Sequence, residues 1–327
     1  MKLKLVLLSG FLFLYYSCST SNTKAEFDTI TLAIETELSR LSDDSFISDI
    51  RSIDFKHNQF YLTDYSRNEI LILDEDLTLK NTAGTGGEGP GEFNGASSIK
   101  VSDDFVYVIN DGKQTVEVFK ENEHVETINP QIILSSGTPL RFGTLDNTFY
   151  FSNPESLNSV SHYKSDDEIL SFGEIYDFPN LSQTLIKNYN HVLMHSNGII
   201  TVSDNLPTIV FYDLNKNVLS KMDYGNLPLV QEHLDVLKRN PTEDNSYYIL
   251  ATDAYLFLDT LYVLLTLQNE QGPSSNKVLE IKINKDGTLR ILNMLGLGDG
   301  WYTTLCVNDS SLLSFDRTRG NVVKFQL

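Results

Sequence analysis

One cadence is written six times along this chain, and it leaves little freedom in the fold. Each copy begins with two short apolar strands joined by a polar turn. The pairs fall at 53–55 with 60–63, 99–101 with 105–109, and 142–145 with 149–151. They continue at 192–194 with 199–202, 255–258 with 261–265, and 305–307 with 312–315. Apolar alternation around turn residues is the signature of a hairpin. A third strand follows each pair, at 70–73, 116–119, 160–163, 209–212, 278–283 and 322–325. In five copies a polar turn (74–76, 120–123, 165–167, 215–217, 284–287) then leads to a fourth strand.

The sixth copy stops at Leu327 without a fourth strand. An unpaired edge would leave a row of open backbone groups. The segment 29–34, Thr-Ile-Thr-Leu-Ala-Ile, has strand character and no partner nearby in the sequence. The economical arrangement is that it supplies the missing strand and closes a ring. The expectation is therefore an all-β fold, a six-bladed β-propeller over residues 27–327, with units of about 46 residues. An open β-sandwich is the other all-β candidate, and it does not explain the six-fold spacing.

Composition bounds the function. The 327 residues carry a formal charge of −19, which repels phosphate backbones and argues against nucleic-acid binding. Cationic ligands, metal ions or basic partners are permitted by that charge but not implied by it. Aromatic residues make up 11% of the chain, which suits strands.

The start of the chain is read separately from the fold. Lys2 and Lys4 precede an apolar run at 5–16, too short to span a bilayer comfortably, so residues 1–17 read as an export signal. Ser17-Cys18 follows. This resembles a bacterial lipoprotein signal, which implies lipidation of Cys18, a tether at 18–26, and membrane contact through the lipid anchor only. In place of the aliphatic residue usual in that family, Tyr15 stands three before Cys18. A plain secretory signal is the other reading. The chain has two cysteines; if Cys18 carries lipid, Cys306 has no disulfide partner and reads as a small buried hydrophobe.

The second copy carries the family resemblance. Gly84-Thr85-Gly86-Gly87-Glu88-Gly89-Pro90-Gly91-Glu92-Phe93 is too rich in glycine for a helix or strand interior. A strand, an acidic turn at 102–104, Phe105-Val106-Tyr107-Val108 and Asn110-Asp111 come next. This pattern resembles the NHL-type propeller repeat, and Asp64, Asp204 and Asp316 echo it in other copies. The whole chain is similar to the NHL- or TolB-like six-bladed propeller lipoproteins of Bacteroidetes. That resemblance implies a cell-envelope protein. Acidic residues are absent from 19–24, which by the same resemblance favours the periplasmic side of the outer membrane over the cell surface.

Long loops gather on one face of such a ring, at 83–96, 173–190, 225–252, 268–276 and 296–301. Rigid scaffolds place function on loops, so this face is where a ligand is expected. The first residues of the inner strands should ring the channel mouth there: Arg51, Ser98, Arg141, His191, Asp253 and Thr303. Two arginines and a histidine would favour a carboxylate or another anion, unless each arginine pairs with a nearby acid. Trp301, the single tryptophan, and Tyr302 either offer an aromatic platform to a sugar or peptide or pack the last crossing. Residues 229–239 carry helical spacing and end at Pro241, giving either a lid or a helix packed on a blade edge. Asp64, Asp111, Asp204 and Asp316 are read as caps of local backbone amides rather than calcium ligands.

The usual nucleophile-elbow, zinc-helix and phosphate-loop motifs do not occur. The mouth ring holds one acid, Asp253, too few oxygens for a hard cation, and the six histidines are scattered. The expectation is no catalytic residue, no metal and no cofactor. The chain should bind a small ligand or an envelope protein without chemistry. The alternatives are a hydrolase or lyase acting on a carbohydrate or lactone at the mouth, and a structural subunit of an envelope assembly.

Overall fold

The computed structural model of the chain describes residues 29–42, 44–134, 138–164, 169–241 and 246–327. The leader, Cys18, the whole tether at 18–26 and the turn at 165–167 lie outside them. The six repeats fold into six sheets, within each of which the repeat's own strands run antiparallel and in sequence order from an inner strand outward. The inner strands are Ile50–Lys56, Ala96–Ser102, Gly143–Leu145, Asn190–His195, Ala251–Phe257 and Tyr302–Val307. Each touches the next around the circle, and Tyr302–Val307 meets Ile50–Lys56 at the seam. The chain is a six-bladed β-propeller.

Why these strands pack this way follows from where their side chains go. The second strand of each blade lies between two sheet neighbours and two adjoining blades. Gly198–Ser203 and Ser311–Asp316 are buried at every position, so apolar or hydrogen-bonded residues are needed on both faces. The cores sit between blades. Tyr107, Ile109 and Val118 of blade two meet Phe142, Phe149 and Phe151 of blade three. Val160 and Phe172 of blade three meet Val192, Ile199 and Tyr212 of blade four. Each such apolar side chain contributes about 1.5–3 kcal/mol by leaving water, and no blade can realise this alone.

Closure differs from the sequence expectation in its residues. Thr29–Thr31 does not complete the last blade; it runs parallel to Leu289–Gly296 as a fifth strand on blade five. The closing strand is Ile34–Leu38, antiparallel to Asn321–Gln326. Its side chains are mostly exposed, so an apolar search points to the wrong segment. Polar ties hold it: Lys324 Nζ lies 3.1 Å from Glu35 Oε1, and Asn321 Nδ2 donates to Glu37 Oε2 at 3.1 Å. The N-terminal segment thereby joins blade five to blade six.

The glycine-rich loop folds on itself. Thr85–Gly86 pairs with Glu92–Phe93, and Phe93 is buried beneath. Gly84 has φ +73°, and a Cβ there would sit 2.2 Å from the Phe93 ring. Lys113 Nζ donates to the carbonyls of Gly89 and Glu92 at 2.9 and 2.8 Å, so the loop is already filled.

Among the described residues two α-helices interrupt the strands: α1, Leu181–Ile186, and α2, Pro228–Arg239. Asn180 caps α1 by accepting from the Gln183 amide at 2.8 Å. Proline opens α2 and Lys238 and Arg239 close it, as the helix dipole favours. Val230 and Leu234 join the apolar cluster of blades four and five, and the His233 ring accepts the Gln268 amide at 2.8 Å. The helix packs on blade five.

A protein beginning at Leu32 should melt within about 2–4 °C of one beginning at Thr29, since it loses only a short exposed edge strand. A protein beginning at Ser39 should lose its cooperative thermal transition. Differential scanning calorimetry of the two truncations checks both outcomes.

Candidate functional site

The inner strands converge on the axis, and their early residues fill it. Arg141, two residues before Gly143–Leu145, reaches across the channel. Its Nε and Nη2 donate to the two Asp253 oxygens at 2.7 and 2.6 Å. Nη1 donates to the Ile53 carbonyl at 2.7 Å, and Nη2 also donates to the Leu305 carbonyl at 2.7 Å. Asp253 in turn accepts from Thr304 Oγ1 at 2.7 Å and from the Leu305 amide at 2.8 Å. Burial alone would weaken the guanidinium's hold on its proton, but the Asp253 carboxylate outweighs it and the net shift is upward.

Blades two and four join the same cluster. Ser98 Oγ donates to the Leu140 carbonyl at 2.6 Å. The Arg141 amide donates to His191 Nδ1 at 3.2 Å, so Nε2 carries the proton and donates to the Ala251 carbonyl at 3.0 Å. Burial, with Arg141 nearby, lowers the His191 pKa and keeps the ring neutral. Deeper along the axis, Asp54 accepts from Lys100 Nζ at 3.0 Å, the Val101 amide at 2.7 Å and Tyr255 Oη at 2.9 Å. Burial pushes the adjacent Cys306 thiol up, which leaves it an inert filler. Only a cavity of about 40 Å3 remains beside Asp54 and Arg141.

The expected ring at the mouth is therefore corrected in its placement. Ser98, Arg141, His191 and Asp253 are buried beneath the mouth, bonded to one another or to backbone, and Arg141 has the acid partner that the sequence left open. Tyr302 is 1% exposed, with Oη donating to the Leu297 carbonyl at 2.8 Å and its ring against Phe325. It packs the last crossing and is not part of an exposed platform.

Arg51, Trp301 and Thr303 do line an open pocket of about 430 Å3 above that plug. One wall is Tyr247, Tyr248 and Ile249 from the long blade-five insert, with Pro139 and Pro273 beside it. Thr252, Thr266 and Gln268 add polar groups, and Thr252 and Thr266 share a hydroxyl hydrogen bond of 2.5 Å. Asp49 and Arg317 complete the rim. Arg51 is held by Asp49 at 2.9 Å and lies over the Tyr65 ring at 4.6 Å. The Arg317 side chain is exposed and has no hydrogen-bond or ion-pair partner among the described residues. The sequence reading missed it, although it follows Asp316 directly, and missed the Tyr247-Tyr248 pair inside the longest insert. A wider depression of about 740 Å3 lies beside α1, lined by Leu157, Glu174, Asp177, Phe178 and Leu181. It is a peripheral surface hollow away from the inner strands.

The turn aspartates cap backbone amides in two blades. Asp64 accepts from the Ser48 and Asp49 amides at 2.8 and 3.2 Å, and Asp316 from the Trp301 and Thr318 amides at 3.2 and 2.9 Å. In blade two the equivalent is Asn110, which accepts from the Asn94 amide at 3.0 Å, whereas Asp111 accepts from Ser97 Oγ at 2.5 Å. Asp204 is different. It is fully buried, one oxygen accepts from Tyr247 Oη at 3.0 Å, and the other has no partner among the described residues. Burial pushes its pKa from 3.8 up to about 8, against a smaller downward pull from the Tyr247 hydrogen bond.

No protein-family model matches the chain, and neither does any curated protein. Solved structures do. A member of the DUF4221 family from Bacteroides vulgatus aligns with a TM-score of 0.57 at 10% identity, covering 92% of this chain and 98% of that one. A protein from Bacteroides thetaiotaomicron gives 0.52 at 11%, covering 91% and 75%. Virginiamycin B lyase from Staphylococcus aureus gives 0.51 at 10%, covering 89% and 98%. At such identities the likeness is one of fold alone.

Asp204 makes a signed pH prediction. Its folded pKa is raised, so the folded state keeps a proton that the unfolded chain releases. The stability it contributes is complete below about pH 4 and falls as pH rises to about 8. Asp204→Asn stays neutral throughout. Melting temperatures at pH 5 and pH 8 should therefore fall further for the parent than for Asp204→Asn.

Proposed function

We propose that this chain is a lipid-anchored propeller of the cell envelope that receives a small ligand, or a protruding segment of a partner protein, at its loop-rich mouth and does not transform it. The observation that carries this reading is the pocket of about 430 Å3 with Trp301, Tyr247 and Tyr248 in its walls. Its size and its aromatic walls with a few polar groups are those of a ligand site.

The chemistry around the pocket favours holding over turnover. Asp49 is paired with Arg51. Asp204 is screened from the pocket by Tyr247. The buried Arg141–Asp253 pair beneath is saturated with hydrogen bonds. Among the described residues no three His, Cys, Asp or Glu side chains gather to hold a metal. The lipoprotein character and the NHL- or TolB-like type rest on the sequence resemblance. Among the described residues no helix is long and apolar enough to cross a membrane; in this reading attachment runs through Cys18, with the periplasmic side of the outer membrane favoured.

The test is capture. Protein released gently from membranes of its own host should carry a bound molecule detectable by native mass spectrometry. Thr252→Phe, which fills the pocket, should lose that molecule while melting as the parent does. On prolonged incubation the captured molecule should keep its mass. Capture by both proteins, or conversion of the molecule to a product, would overturn the reading.

A further inference from the structure

The mouth pocket is polarised. Its body is apolar and flat-walled: Tyr247, Tyr248, Trp301 and Pro139. Its charged lining is two arginines and one aspartate, a net positive patch on a chain of net charge −19. The aspartate is spent on Arg51, which leaves Arg317 as a guanidinium without a partner among the described residues. Across the hairpin from Arg317, Thr303 lines the same pocket, although its Oγ1 is buried out of a ligand's reach. A guanidinium left unpaired at the edge of an aromatic pocket suits a group offering two acceptor oxygens.

We infer that the ligand is a carboxylate carried on an apolar, flat body, with the carboxylate held by Arg317 and the body lying against Trp301 and the Tyr247-Tyr248 wall. The inference rests on the binding role proposed above and adds the ligand's chemical class. Two sources offer this chemistry: a free aromatic acid, and the C-terminus of a peptide ending in an aromatic residue. A planar guanidinium recognises the carboxylate through two parallel hydrogen bonds, which an ammonium cannot reproduce. An amide in place of the carboxylate presents one acceptor and brings donors that face a cation.

Trp301 is the only tryptophan in the chain, so its emission reports this pocket and no other. The probes are N-acetyl-phenylalanine, its C-terminal amide, 3-phenylpropionate, and a tetrapeptide ending in phenylalanine with a free carboxylate. The acids should bind at least about tenfold more tightly than the amide, with affinity falling as salt is raised. Arg317→Gln should bring the acids down to the amide's affinity and leave the amide unchanged; Arg317→Lys should recover part of the loss. Arg317 is exposed, so both variants should melt as the parent does. Tetrapeptide above 3-phenylpropionate identifies a peptide terminus as the source, and the reverse order identifies a free acid; either ranking supports the proposal. Equal affinity for acid and amide, or equal loss of both in Arg317→Gln, overturns it. If no probe moves Trp301 emission while Thr252→Phe still abolishes capture, the carboxylate class is wrong and the binding role stands. If Thr252→Phe leaves capture intact, the binding role itself has failed.

Discussion

The bidentate pair between Arg141 and Asp253 is the interaction on which the centre of this ring depends. It joins blade three to blade five across the axis. The remaining guanidinium hydrogens reach blade one through Ile53 and blade six through Thr304 and Leu305. The Arg141 amide reaches blade four through His191, and Ser98 of blade two bonds the carbonyl one residue before it. The Arg141 side chain thus ties blade three to blades one, five and six, and the peptide group that precedes it ties in blades two and four. Two charges taken out of water would be a liability if either stood alone, and the cost of removing one partner from a buried pair is about 3–5 kcal/mol. Here both carboxylate oxygens and all three guanidinium nitrogens have partners, so the pair specifies how the blades register against one another.

The same plug decides where function can sit. A propeller channel is an open tube only when its inner strands present small or hydrated side chains. In this chain Arg141, Asp253, Asp54, Lys100 and Tyr255 fill the tube and leave about 40 Å3 near its far end. Along the axis the roomy pocket is the one at the mouth, about 430 Å3, where the long loops stand. The mouth residues sit one or two steps along the chain from the plug: Thr252 beside Asp253, Thr303 beside Thr304, Pro139 two before Arg141. A rigid floor therefore sets the positions of the side chains that a ligand would meet.

Much of this was legible before any coordinates. Strand periodicity repeated six times gave the architecture, because alternation and turn chemistry are local. The loop-rich face followed from connectivity, and Arg51, Trp301 and Thr303 were placed at the mouth by counting along strands. What escaped was long-range. Arg141 and Asp253 are 112 residues apart, and no local pattern says that a strand-entry arginine will turn inward to an acid. The closing strand was sought among apolar residues at 29–34. An exposed outer strand instead needs backbone pairing and polar ties such as Glu35 with Lys324. Asn110 and Asp111 are neighbours, and only the position of the strand end decides which one caps the loop. Arg317 could not be singled out from the sequence, since its significance lies in having no side-chain partner among the described residues.

A double-mutant cycle on the plug tests the account most directly. Arg141→Met, Asp253→Asn and the double variant would be unfolded in urea and compared with the parent. The account predicts that each single change costs about 3–5 kcal/mol, and that the double change costs less than their sum by more than about 1 kcal/mol. Single costs below about 1 kcal/mol that simply add would show that the pair does not hold the ring together, and the account would be wrong at its centre.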